Sequence, residues 1–159
     1  MSKDPTVESM WQLFLATKAG KALFRQATYS VWHFGATSEV ADKLALLVLE
    51  DKKKATSSAF WLYEYENEAV PAKGDFSVIT DWAGKAKCII RNTNVSLLPF
   101  ADITAEMAAK EGEGDLSLDY WKKVHIEFFT KECEDAGDKF TEDMLVVFEE
   151  FELVYPVQK

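Results

Sequence analysis

Two short segments of this chain carry side chains whose types and spacing could do chemistry. In Asp51-Lys52-Lys53-Lys54-Ala55-Thr56, Lys53 and Thr56 stand three residues apart. A lysine desolvated in a concave site can lose its proton near neutral pH, and a neighbouring threonine hydroxyl can then attack a carbonyl with the amine as base. An acidic partner could come from Glu111-Gly112-Glu113-Gly114-Asp115, an exposed turn that equally suits a solvated loop with helix-capping acids. Other chemistries are poorly supplied. A nucleophilic triad needs a histidine, and only His33 and His125 exist. His33 falls between Trp32 and Phe34 in an extended segment and His125 on the apolar side of a long helix, so both read as core or boundary residues. No pair of His or Cys has zinc-ligand spacing, and neither a GxGxxG nor a phosphate-loop sequence occurs. The two cysteines, Cys88 and Cys133, are too few for a disulfide scaffold and read as reduced thiols.

The elements that must position these groups follow from periodicity. Val7, Met10, Trp11, Phe14 and Leu15 recur at helical spacing, predicting a helix over about 6–18 that Gly20 stops. Thr28–Phe34 reads as a strand, and Ser38 caps a helix running to about Glu50. Ala55–Tyr65 fits one face of a helix as well as an alternating strand; a short helix is the favoured reading. Gly74-Asp75 turns the chain into Phe76–Thr80, and Ala83-Gly84 connects this to Lys85–Arg91 and on towards Leu97, a β-hairpin. A helix at about Ile103–Lys110 ends at Gly112, Ser117 caps the longest helix, and Met144–Tyr155 reads as a closing strand. Strands not strictly alternating with helices argue for α+β, a small curved sheet or barrel flanked by helices.

With 159 residues and 48% of them apolar, a single domain over 1–159 with one core is expected. No apolar run approaches the ~18 residues of a membrane span, and MSKDPTVESM lacks the basic and apolar regions of a signal peptide, so a cytoplasmic protein is expected. A net charge of −9 opposes nonspecific binding to phosphate backbones. The charge is uneven, however: residues 1–60 carry eight basic and six acidic side chains, and 61–159 carry ten basic and twenty-one acidic. The positive potential is densest at Lys52-Lys53-Lys54.

Taken together, these segments resemble the ASCH domain (activating signal cointegrator homology), a branch of the PUA-like superfamily. The matching stretches are His33-Phe34-Gly35, Ala41-Asp42-Lys43-Leu44, Leu47-Val48-Leu49 running into Asp51–Ser58, Gly74-Asp75, Glu111–Asp115 with Ser117-Leu118, and Trp121, His125 and Phe128-Phe129. The resemblance spans about Ser30 to Tyr155. It implies an α+β fold, a PUA-like β-barrel with flanking helices, and a cleft lined by the lysine turn that suits RNA or a nucleoside. Small members of the wider family are amidohydrolases that deacetylate N4-acetylcytidine with a lysine, a threonine and a glutamate, which by motif fall on Lys53, Thr56 and Glu111; other bacterial members are ribonucleases. Family members commonly show Gly-Lys-Lys-Thr-Ala-Thr, where this chain has Asp51 in place of the Gly and Lys54 in place of the first Thr.

The leading expectation is a binding module. Lys52, Lys53 and Lys54 would meet phosphate, Ser57 would line the cleft, and Trp61 or Tyr63 would stack on a base. The rival is a hydrolase acting on RNA or a modified nucleoside, and the third class an interaction module with no ligand of its own. No cofactor, metal or membrane is implied, and no preference for DNA.

Overall fold

The computed structural model describes residues 4–23 and 27–157. They fall into two compact units, each made of separate stretches of chain: residues 4–23, 27–52, 73–93 and 151–157 in the first, and 53–72 and 94–150 in the second.

The first unit opens with α1 (Pro5–Leu15), whose N-terminus is closed by the Asp4 carboxylate accepting from Thr6 N–H, with Pro5 in the first turn where a missing N–H costs nothing. Its face of Val7, Trp11 and Phe14 is buried with Phe76, Val78 and Ile89. Gly20 does not stop this helix. It lies inside a second short helix, α2 (Lys18–Lys21), where a Cβ would sit 2.2 Å from the Phe14 carbonyl oxygen, so only glycine lets α2 fold back on the end of α1. Strand β1 (Tyr29–Trp32) runs parallel to β3 (Phe76–Thr80), which pairs antiparallel with β4 (Ala86–Pro99) as the expected hairpin. Helix α3 (Ser38–Leu49) is capped by Thr37, one residue before the expected Ser38; it buries Ala41 and places Leu44, Ala45 and Val48 in a second cluster with Phe34, Ile79 and Ile90. It ends with Asp51 N–H donating to the Val48 carbonyl and Lys52 N–H to Leu47, with Asp51 in the left-handed region at φ 62°. Aspartate is among the few residues besides glycine that enter this region readily.

The second unit contains β2 (Ala55–Ala59), α4 (Phe60–Tyr65), a 3₁₀ turn (Phe100–Asp102), α5 (Ala105–Lys110), α6 (Leu118–Asp135) and the start of β5 (Leu145–Tyr155). Residues 55–65 are therefore both things the sequence allows, a strand and then a helix. Ser117 caps α6 as expected, its hydroxyl accepting from Tyr120 N–H. The core joins Phe100, Trp121, Phe129, Val146 and Phe148, with Ala55 and Ala59 of β2 leaving room for them.

The strands hydrogen-bond in the order β1-β3-β4-β5-β2. The fold is α+β as expected, but the expected barrel is not closed. Its outer strands, β1 and β2, are each paired along one edge, giving an open five-stranded mixed sheet. Among the described residues no helix is long and apolar enough to cross a membrane.

Phe129 is fully buried among Phe100, His125, Phe128 and Phe140. Truncation to Ala should cost about 3–5 kcal/mol by urea denaturation, whereas Leu13→Ala on the exposed side of α1 should stay within about 0.5 kcal/mol.

Candidate functional site

The polar centre of the second unit is assembled by backbone before any side chain acts. Lys54 N–H donates to the Lys110 carbonyl at 2.8 Å, which brings the residue before it, Lys53, to the end of α5, where Glu111 follows. A second clip holds the same elements. The Lys110 ammonium meets Glu150 Oε1 at 2.7 Å, and Glu150 stands opposite Ala55 in the β2–β5 ladder.

Lys53 and Glu111 are both about 1% exposed and face each other, Nζ to Oε1, at 3.4 Å. Nζ also donates to the Glu111 carbonyl oxygen at 3.3 Å, satisfying a carbonyl left over at the C-terminal end of α5, and to Glu113 Oε2 at 2.7 Å. The other Glu111 oxygen, Oε2, accepts from the Ser57 hydroxyl and from Trp121 Nε1, each at 2.6 Å. His125 completes the cluster. Its ring stacks on Trp121 at 4.1 Å, its Nδ1 lies 2.8 Å from the Trp121 carbonyl oxygen, and its Nε2 lies 3.5 Å from Glu111 Oε1. Because a carbonyl can only accept, Nδ1 carries the proton, and a protonated Nε2 would donate to Glu111.

Burial by itself pushes the Glu111 carboxyl up. The Lys53 charge, the His125 contact and the Ser57 hydroxyl outweigh it and hold the group as a carboxylate, down at about 2. Elsewhere in the unit a carboxyl is treated in the opposite way. Glu132 on α6 is pushed up to about 7 by burial and by the charges of Glu66 and Asp135, and its Oε1 has no hydrogen-bond partner.

Of the residues singled out from the sequence, the structure brings together Lys53, Glu111 and Ser57. Thr56 is not with them. Strand alternation puts Ser57 on the same side of β2 as the buried Ala55 and Ala59, and Thr56 and Ser58 on the other. On that second side the Ser58 hydroxyl meets the Tyr63 hydroxyl at 2.7 Å. Trp61 packs against the core of the unit and, edge-on, against Tyr65. Lys54 is exposed, and Lys52 is an exposed residue of the first unit with its ammonium 3.8 Å from Glu50. Two members of the cluster, Trp121 and His125, were absent from the sequence-based site, whereas Glu113 lies in the acidic turn offered there as the source of a partner. The signal for the two was present in the spacing: Trp121 and His125 are one helical turn apart on the face that α6 buries. Among the described residues, no three His, Cys, Asp or Glu side chains are grouped as metal ligands.

A mixed open sheet with flanking helices and a buried Lys–Glu pair between the lysine turn and the Glu-Gly-Glu-Gly turn defines an ASCH-type, PUA-like domain. The ASCH domain model matches residues 30–155, and the chain belongs to that family. Its structure is similar to that of an ASCH domain from Lactobacillus crispatus JV V101, with a TM-score of 0.87, 33% identity and 98% of each chain covered. It is also similar to protein EF3133 of Enterococcus faecalis V583, with a TM-score of 0.82, 34% identity, and 94% of this chain and 90% of that one covered. No curated protein matches the chain.

Two outcomes follow from these two carboxyls, Glu111 and Glu132. Since the folded-state value of Glu111 lies below its ordinary one of 4.5, its contribution to stability is complete above that pH and is lost as pH falls towards about 2. Glu111→Ala should cost roughly 3–5 kcal/mol at pH 7, because it strands the Lys53 charge in the interior, and should flatten the acid limb of a stability–pH curve. Glu132 has the reverse sign. Its folded value lies above its ordinary one, so stability is lost as pH rises from about 4.5 through about 7. Glu132→Gln should therefore raise the urea midpoint at pH 8 and leave it nearly unchanged at pH 4.5.

Proposed function

We propose that this domain binds a nucleoside, free or as an exposed base of RNA, at the Lys53–Glu111–Ser57 cluster. The observation that carries the reading is the Lys–Glu pair sealed from solvent beside a second carboxylate and a hydroxyl. Replacing a buried ion pair with well-packed apolar residues is often neutral or stabilising, so stability alone gives little reason to keep one. Clusters of this kind mark functional sites. Its charge selects among ligands. One ammonium against two carboxylates is a poor seat for phosphate, whereas the donors and acceptors of a neutral base match it in kind.

Hydrolysis of an acylated nucleoside is the second reading, and the contact of the Ser57 hydroxyl with Glu111 favours it. Lys53 would first have to leave its carboxylates to act as a base, which ranks binding above catalysis. On this reading the attacking hydroxyl is that of Ser57, since Thr56 points to the other side of β2.

Isothermal titration with the four common nucleosides and a short single-stranded RNA, at two ionic strengths, tests the proposal. Binding of at least one nucleoside is expected, with little salt dependence and a loss of about tenfold or more in Lys53→Ala. Absence of binding at millimolar concentration would remove it, and a steep salt slope would assign the contact to phosphate instead. Incubation with N4-acetylcytidine separates the second reading: acetate release that is lost in Ser57→Ala and kept in Thr56→Ala would establish it.

A further inference from the structure

Three acceptors within 3.4 Å of Lys53 Nζ belong to one turn: the Glu111 carbonyl oxygen, Glu111 Oε1 and Glu113 Oε2. The shortest of these contacts, 2.7 Å, is made by the partner that is not sealed. The Glu113 side chain is 16% exposed, against 1% for Glu111. An ammonium has three N–H donors, so a ligand acceptor approaching Lys53 from solvent must take a place already filled. Glu111 cannot yield it, being tied to Ser57 and Trp121 through its other oxygen. Glu113 can.

The turn that carries Glu113 is a short, partly exposed connection between α5 and α6. Gly112 (φ 72°) and Gly114 (φ 59°) flank it, both in the left-handed region. Its backbone contacts are local: Gly112 N–H donates to the Ala109 carbonyl, Leu116 N–H to the Glu113 carbonyl and Ser117 N–H to the Asp115 carboxylate. Leu116 is also left-handed, at φ 69°, and half exposed. This conformation is an unfavourable one for a leucine.

We infer that Glu113 is a resident stand-in for the ligand: its carboxylate holds the Lys53 donor that a neutral carbonyl acceptor of the ligand takes, and the 112–116 turn swings away to release it. The ligand's identity rests on the nucleoside reading above; the gate does not. A neutral carbonyl, such as O2 of a pyrimidine, fits better than an oxyanion. Glu111 stays in place 3.4 Å from Nζ, and an incoming anion would restore the repulsion that the departure of Glu113 relieves.

Reductive methylation with formaldehyde and cyanoborohydride, read by mass spectrometry of the peptide carrying Lys53, measures how often the amine is uncovered, with Lys52 and Lys54 as internal references. Lys53 should label about tenfold faster in Glu113→Ala than in the unaltered protein, and at an intermediate rate in Glu113→Gln, which keeps an acceptor without the charge. Cytidine should slow the labelling of Glu113→Ala at a lower concentration than it slows that of the unaltered protein. If Lys53 labels no faster in Glu113→Ala while its melting curve shows it folded, the gate is overturned; should that variant unfold, Glu113→Gln decides in the same way. Faster labelling with no protection by cytidine in any of the proteins would support the gate and overturn the nucleoside as its ligand.

Discussion

The buried pair of Lys53 and Glu111 is the constraint on which the second unit depends. Two opposite charges taken out of water are tolerable only at close range and with every remaining lone pair and proton occupied. Here that requirement recruits most of the unit. Glu111 Oε2 is held by a hydroxyl from β2 and an indole N–H from α6, Oε1 by Lys53 and His125, and Lys53 in turn takes up the carbonyl at the end of α5. One carboxylate thus fixes a strand, two helices and a turn against each other, and the apolar core of Phe100, Phe129 and Phe148 fills in around that arrangement.

The same geometry bears on the two chemistries proposed for Lys53. A lysine that acts as a base sits in an apolar pocket, where desolvation disfavours its charge. Lys53 is buried, yet its ammonium lies 3.4 Å from the Glu111 carboxylate and 2.7 Å from that of Glu113. On the proposed reading the site holds a ligand by directed hydrogen bonds. It becomes a catalytic site only if something first draws a carboxylate away.

Lys53 and Glu111 were legible in the sequence because residue type and local spacing carry the signal: a lysine in a tight basic turn and a glutamate beside glycines are unusual wherever they fall. The choice between Thr56 and Ser57 was not legible. Which hydroxyl faces the cluster is set by the register of β2 on β5, with Ala55 opposite Glu150, a pairing between distant parts of the chain that no window around residue 55 contains. The helical pattern that competed for residues 55–65 belongs to α4, which begins only at Phe60. His125 was correctly placed on a buried face, but an apolar stripe does not reveal that its ring nitrogens end on a carboxylate and a carbonyl. Closure of the sheet failed for a similar reason. Each strand is encoded locally, whereas a barrel needs β1 and β2 to pair, and nothing in the four residues of β1 says whether they will.

Charge divides along the structural units much as it divides along the sequence. The first unit carries eleven basic and nine acidic side chains, the second seven basic and eighteen acidic, so the unit that contains the cluster has a net charge of −11. A field of that sign raises the local concentration of cations and lowers that of phosphate. A strand of RNA would meet this unit against its overall field, and any affinity must come from contacts short enough to escape screening and specific enough to offset the repulsion. Stacking and base-edge hydrogen bonds meet both conditions, and a tally of exposed lysines meets neither. The proposed reading accordingly rests on contacts to a base and not to the phosphate chain.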